Sequence, residues 1–422
     1  MKRLNLISAV VVIAMTMLSY TASATHIMGM NITYENIGGD TFVVTLDFMR
    51  YCGGSAFNGT PTNAAGGPTW GASYTIYCPD VGSNESRQAS VDTIIDASPI
   101  CDSLTNTQNS CVAGYQTGLL GIQWFIMRDT FALSELTQST CSEFILVYSS
   151  GARNTGVNYV SQPGLAVYST LREETYPNNS SPLFTTDKPI PFFCDGQAVT
   201  YNWGVVEQDG DSLYWELDTA HTGYSTITGF ANITYAGAWT GVSPMNGVTI
   251  DNATGQLDFV AYKPPTSIAA NYAIAVKVSE YDPETGDHIS TTQRDMQFIV
   301  MDSCENIAPQ QDPVGLMNFS GSGAVIDSNT VEVCVGNNFA FDVVVYDLDT
   351  SGNYSNDSID IQCNIDQVLP GAVWTSNGTN PDTIHISWNA VPIPQSYVPF
   401  NITVTDDACP VTGFNIYNYN IF

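Results

Sequence analysis

The chain has 422 residues, 44% of them hydrophobic and only 12% charged, with 11 Lys and Arg against 41 Asp and Glu for a formal net charge of −30. Such an excess of negative charge excludes nucleic acid as a partner by repulsion. The hydrophobic content is enough for two to four cores at about 100–200 residues per domain.

The first 24 residues read as an export signal. Lys2 and Arg3 precede an apolar stretch from Leu4 to Leu18, and Ala22-Ser23-Ala24 offers the small side chains that signal peptidase accepts, so the mature chain is expected to begin at Thr25. A membrane span would need about 20 consecutive apolar residues, and no later stretch approaches that length. The expected location is therefore extracellular or on the outer cell surface. Ten cysteines behind a leader most simply mean five disulfides in an oxidising compartment: Cys52, Cys78, Cys101, Cys111, Cys141, Cys194, Cys304, Cys334, Cys363 and Cys409. Their pairing stays open, because ten cysteines allow too many connectivities. No CxxC occurs and no His lies at metal-ligand spacing from a Cys, which argues against zinc.

In chain order the apolar period is 2 nearly everywhere. Asn31 to Glu35 and the alternating Phe42, Val44, Leu46, Phe48 flank Gly38-Gly39-Asp40, which predicts a hairpin. Tyr272, Ile274, Val276 and Val278 alternate in the same way, and no convincing amphipathic helix follows the leader. The second half contains one unit twice. At a constant offset of 140, Cys194 repeats as Cys334, Gly196 as Gly336, Val199 as Phe339, Tyr201 as Phe341, Glu207 as Asp347 and Asp209 as Asp349. At an offset of 128, Tyr272, Ile274 and Val276 match Phe400, Ile402 and Val404. Each copy reads as strands that pack inward and run into an acidic loop. The expected division is a leader (1–24), an N-terminal disulfide-containing β domain (25–186), and two repeats (187–303 and 304–422). The fold class is all-β, with tandem Greek-key sandwiches of immunoglobulin or cadherin type, at about seven short strands per repeat.

Thr25-His26-Ile27-Met28-Gly29, then Ile32-Thr33-Tyr34 and Arg50-Tyr51-Cys52, resemble the start of Bacteroidota secreted surface proteins associated with gliding motility and type IX secretion. Asp209-Gly210-Asp211-Ser212-Leu213, Asn252-Ala253-Thr254-Gly255-Gln256-Leu257 and Arg294-Asp295 before Phe298 resemble their cadherin-like or immunoglobulin-like repeats. The resemblance implies a surface role, loops that bind calcium, and O-glycosylation at Asp-[Ser/Thr]-apolar triplets, whose acceptors here are Thr93, Ser103, Ser212, Thr219, Ser358 and Thr383. Members of that family run longer, with a C-terminal sorting domain, so the chain is expected to be a fragment or a short branch.

The residues themselves make calcium the leading chemical candidate. Calcium takes six to eight hard oxygens; Glu207, Asp209 and Asp211 supply several from one turn, with Gly210 permitting the bend. Asp347 and Asp349 occupy the matching place, but Thr350-Ser351 replaces Gly-Asp, so the second loop is expected to be weaker. The competing reading of both is a solvated turn. No Lys or Arg occurs after Arg294, which leaves divalent cations as the counter-charge for the last unit. Trp124, Trp203, Trp215 and Trp388 fall in strand-like runs and are expected in cores; Trp70 and Trp239 lie in Gly/Thr/Ala-rich loops and are the better sugar-stacking candidates. HExxH, GxSxG, Walker A and dinucleotide motifs are missing. The sequence thus predicts a non-enzymatic secreted surface protein for adhesion or structure, with copies of itself, other surface proteins or polysaccharide as partners. One alternative is a self-assembling filament in which Thr25 to Glu35 completes a neighbour's sheet. Another is a carbohydrate-binding module or glycosidase.

Overall fold

The computed structural model describes residues 27–52, 71–101, 111, 121–151, 153–161, 163–186, 191–265, 269–302, 306–349, 357–393, 397–409 and 411–422. The leader, Trp70, Ser103 and Cys304 lie outside them. The described chain is almost entirely β, relieved by a 3-10 turn at Leu133–Glu135 and a single helical turn at Ile365–Val368.

Among the described residues, seven longer strands precede the repeats: β1 (Ile27–Gly38), β2 (Thr41–Tyr51), β3 (Gly71–Cys78), β4 (Ser83–Asp96), β5 (Ile122–Ala132), β6 (Phe144–Ser150) and β7 (Leu165–Leu171), followed by the two-residue strand Leu183–Phe184. The expected β1–β2 hairpin is present, and Gly38 and Gly39 turn it at φ of 122° and 61°, values that side chains disfavour. These seven run β1-β2-β5-β4-β3-β6-β7, and the ring is closed by strand His288–Met301, which along one edge pairs with β1 at Arg294–Met296 and with β7 at Thr292, its other edge being taken by Ala270–Tyr281. Alternate residues point inward. Met30, Ile32 and Tyr34 of β1 meet Phe42, Val44 and Leu46 of β2 and Leu146 and Tyr148 of β6 in one continuous core.

This closure bears on two expectations. The expected 186/187 division is crossed by one sheet, because the closing strand belongs to the first repeat and the sheet continues from it through Ala270–Tyr281 to Ser212–Asp218, while the two parts keep separate cores. β1 is also not free to complete a neighbour's sheet, since β2 pairs along one edge and the other is met by Arg153 at Ile27, by His288–Met301 at Gly29–Asn31 and by Ser181 at Tyr34. Alternation identified the strands; it carries no information on which edges meet.

The duplication is confirmed at the level of topology. In the first repeat, Phe192–Cys194 runs parallel to the strand His288–Met301, which pairs with Ala270–Tyr281 and then Ser212–Asp218. The opposing sheet is Ala198–Tyr201, Leu257–Val260, Thr249–Ile250. In the second repeat, Thr330–Glu332 runs parallel to Phe414–Ile421, which pairs with Val398–Asp406 and then Ile359–Cys363, opposite Asn338–Tyr346, Asp382–Asn389 and Val373–Thr375. Each has a core, around Trp203, Trp215 and Phe298 in one and Phe341, Ile386 and Trp388 in the other, and Phe414 and Ile416 of the second repeat pack into the first. The second copy adds an edge strand, Gln310–Gly321, beside Asn338–Tyr346.

Disulfides join Cys52 to Cys111, Cys78 to Cys141, and Cys101 to Cys409, the last spanning 308 residues from the N-terminal unit to the second repeat. Cys194 is also oxidised. The expectation of five bridges is corrected at Cys334, an exposed free thiol, and at Cys363, a buried one. Cys363 packs in the apolar core of the last unit, where burial pushes its thiol up to about 12; a thiol there acts as a small hydrophobe.

Candidate functional site: two acidic loops

The two loops singled out by the repeat occupy equivalent places, each between a strand of the small sheet and the edge strand of the opposite one. In the first, Glu207, Asp209 and Asp211 bring one carboxylate oxygen each to within 4.8 Å of the others. Glu207 is nonetheless consumed by its own turn. Its Oε1 accepts from the amide of Asp209 (2.7 Å), and its Oε2 from those of Gly210 (2.7 Å) and Asp211 (2.9 Å). Gly210 sits at φ 97°, as that tight reversal requires. Asp209 accepts from the amide of Ser180 in the N-terminal unit, which ties the loop across the molecule. Burial, with the charges of Glu207 and Asp209 beside it, raises the Asp211 carboxyl to about 7. Below the loop lies Glu280, fully buried, whose carboxyl is held well above the usual range by burial and by the charges of Glu207 and Asp211. A cavity of about 210 Å³ separates Asp211 from Tyr397 and Pro399 of the last unit.

The second loop gathers a third carboxylate that the sequence reading did not include. Asp347 and Asp349 are joined by Asp357, and one oxygen of each lies within 4.8 Å of the others. Asp347 Oδ1 accepts from the Asp349 amide (2.8 Å), while its Oδ2 is buried without a hydrogen-bond partner; Asp357 Oδ2 is in the same condition. Burial and the charges of Asp407, Asp347 and Asp349 raise the Asp357 carboxyl to about 6. Asp406 stands behind, pushed up to about 7 by burial although Asn306, Gly413 and Ala408 all donate to it.

Sequence reasoning missed Asp357, but a signal was there. Asp211-Ser212-Leu213 and Asp357-Ser358-Ile359 each open the equivalent strands Ser212–Asp218 and Ile359–Cys363. The offset had grown from 140 to 146 in between, so matching at constant offset placed Thr350-Ser351 where the missing carboxylate belonged. A third grouping, Cys78, Asp80 and Cys141, offers no thiolates because its two cysteines are bridged to each other.

The remaining candidates divide simply. Trp203, Trp215 and Trp388 are core residues as expected, and the Trp124 indole donates to Asp47 (2.8 Å). Trp239 is half-buried, edge-on to Tyr272 at 5.9 Å, and packs against the first repeat's core. Of the triplet acceptors, Thr93, Ser212 and Ser358 are exposed, whereas Thr219 and Thr383 are half-buried. A feature unseen in the sequence is a groove of about 780 Å³ between the repeats, walled by Tyr262, Tyr417, Asn246, Gln310, Asp195 and Asp258 among others.

No protein-family model matches the sequence, and no curated protein matches it. Solved structures that resemble the chain include the N-terminal eight Ig domains of Down Syndrome Cell Adhesion Molecule (9% identity, TM-score 0.18, 93% of this chain and 37% of that one). Others are Drosophila N-cadherin EC1-4 (10% identity, TM-score 0.16, 91% and 83%) and an endo-fucoidan hydrolase from glycoside hydrolase family 107 (11% identity, TM-score 0.15, 79% and 39%). The chain thus spans 37% of the length of the eight-domain fragment. At these scores the likenesses carry no argument, and the assignment as an all-β protein of tandem sandwiches rests on its own strand pairing.

Proposed function

We propose that this chain is a non-enzymatic extracellular surface protein whose work is adhesion or matrix structure. The observation that carries this reading is the bracing. One sheet runs unbroken from the N-terminal unit into the first repeat, and the Cys101–Cys409 bridge ties that unit to the second repeat. Such cross-linking suits a body that must keep its shape while loops hold a partner. Disulfides fit an oxidising environment, and no helix among the described residues is long and apolar enough to cross a membrane. The Lys2 to Ala24 leader would deliver the chain outside, so N-terminal sequencing of native material should start at Thr25. Deleting the protein should reduce attachment of its cells to surfaces or to each other, and adding purified protein should restore it. Attachment that is indifferent to the protein, together with cleavage of a polysaccharide by the purified chain, would overturn the reading.

The inter-repeat groove favours one second reading, a polysaccharide ligand. Tyrosine faces, amides and carboxylates in a cleft of this size match the stacking and hydrogen bonding that sugars need. Affinity electrophoresis in polysaccharide gels tests it: retardation should weaken in Tyr262→Ala, and equal mobility in every gel would remove the idea.

A further inference from the structure

We infer that Asp347, Asp349 and Asp357 form a divalent-cation site, best suited to calcium, that locks the connector between the repeats to the second repeat. The inference does not depend on an adhesive role.

Geometry is the first support. Two ligand oxygens on opposite sides of a calcium ion, each at about 2.4 Å, stand about 4.8 Å apart. One oxygen from each of the three aspartates falls within that spacing, so a single ion can touch all three. The second support is the state of the buried oxygens. Asp347 is only 8% exposed, yet its Oδ2 has no hydrogen-bond partner, and Asp357 Oδ2 is also buried and unpaired. A buried carboxylate oxygen normally finds a donor or a metal. The first acidic loop differs here, because three backbone amides already satisfy both oxygens of Glu207. Third, the chain carries no Lys or Arg beyond Arg294, so its last unit has no cationic side chain of that kind to neutralise the cluster.

Donor chemistry decides the ion. Every side chain in the cluster offers carboxylate oxygen, with neither nitrogen nor sulfur, which selects a hard cation over zinc or copper. An all-carboxylate donor set suits calcium's flexible coordination better than the strict octahedron of magnesium, which keeps several of its waters. The position assigns the role. Asp349 Oδ2 accepts from the Ile307 amide (2.9 Å), and Asn306 donates to Asp406 (2.9 Å), so the connector leaving the first repeat is already hydrogen-bonded to this corner. Asp407 accepts from the Ser358 amide (2.8 Å), two residues before the cysteine bridged to Cys101. An ion here would fix both loops and the connector at one point.

The test uses the whole chain, stripped with EDTA and titrated with calcium chloride by calorimetry, with hydrogen exchange at the Ile307 amide followed in parallel. The wild type should bind saturably, gain thermal stability with calcium, and slow exchange at Ile307. Asp357→Asn should lose about tenfold or more in affinity while its calcium-free melting temperature stays level or rises, since a repelling charge has gone. Glu332→Gln, an exposed acid outside both loops, should titrate like the wild type. Should Asp357→Asn fail to fold, Asp349→Asn takes its place with the same expected loss. Absence of saturable binding at millimolar calcium overturns the inference, and so does wild-type affinity in the Asp357→Asn chain.

Discussion

At the scale of single residues, the most telling feature is charge placed where water cannot reach it. Arg153 and Asp295 are both fully buried and meet through two bonds of 2.6 and 2.7 Å, with Arg153 also donating to the His221 carbonyl. Removing one partner strands the other, so Arg153→Met should cost roughly 3–5 kcal/mol in denaturant unfolding, and adding Asp295→Leu should recover most of that loss. Glu280 behaves differently because it has no cationic partner. Asn179 and Ser290 donate to Oε2 while Oε1 goes unpaired, and burial holds the carboxyl well above its ordinary 4.5. A raised carboxyl favours folding fully below about 4.5 and loses that contribution as pH climbs through its folded value. Glu280→Gln should therefore melt close to the wild type at pH 4 and progressively above it toward pH 8. A gap that does not widen with pH would mean that Glu280 ionises freely in the fold. Asp295 stands out in the sequence only as part of the Arg294-Asp295 motif, and Arg153 and Glu280 not at all, since charged residues in alternating strands look like solvent-facing positions until their second neighbour is known.

Among elements, alternation served well. It located the β1–β2 hairpin and the strands Ala270–Tyr281 and Val398–Asp406, because one buried face imposes period 2. The repeat was legible too, since both copies must fill the same two-layer space with apolar side chains at matched positions. Insertions between strands escaped that logic, which is why Asp357 was missed while Asp347 and Asp349 were found. Disulfides escaped it as well: ten cysteines set a ceiling, yet Cys334 and Cys363 stay reduced. The Cys101–Cys409 bridge holds a turn of the second repeat against the N-terminal unit, where Ile100 also pairs with Val411. Replacing Cys409 and Cys101 by Ser should cost roughly 2–5 kcal/mol, seen as a lower melting temperature, and reductant should lower that of the wild type at least as far because it also opens Cys52–Cys111 and Cys78–Cys141.

The whole molecule is less modular than its sequence. The N-terminal unit borrows its closing strand, His288–Met301, from a segment more than a hundred residues away in the chain, and that strand pairs with Gly29–Asn31 of β1. A chain ending at residue 186 should consequently fail to fold, while residues 25–302 should fold as one cooperative block. Calorimetry checks this: sharp unfolding of the short chain alone would contradict the shared sheet. The second repeat has its own two sheets and core, so in reductant it is expected to unfold as a separate transition.

By itself the sequence determined the β class, the duplicated unit, the acidic loops and the surplus of negative charge, because each follows from side-chain pattern within a short window. Tertiary structure alone decided which edges pair, which cysteines meet, and which carboxylates share a corner. Those are contacts between distant segments, selected by the need to satisfy backbone groups and fill a core, and local periodicity is silent about them.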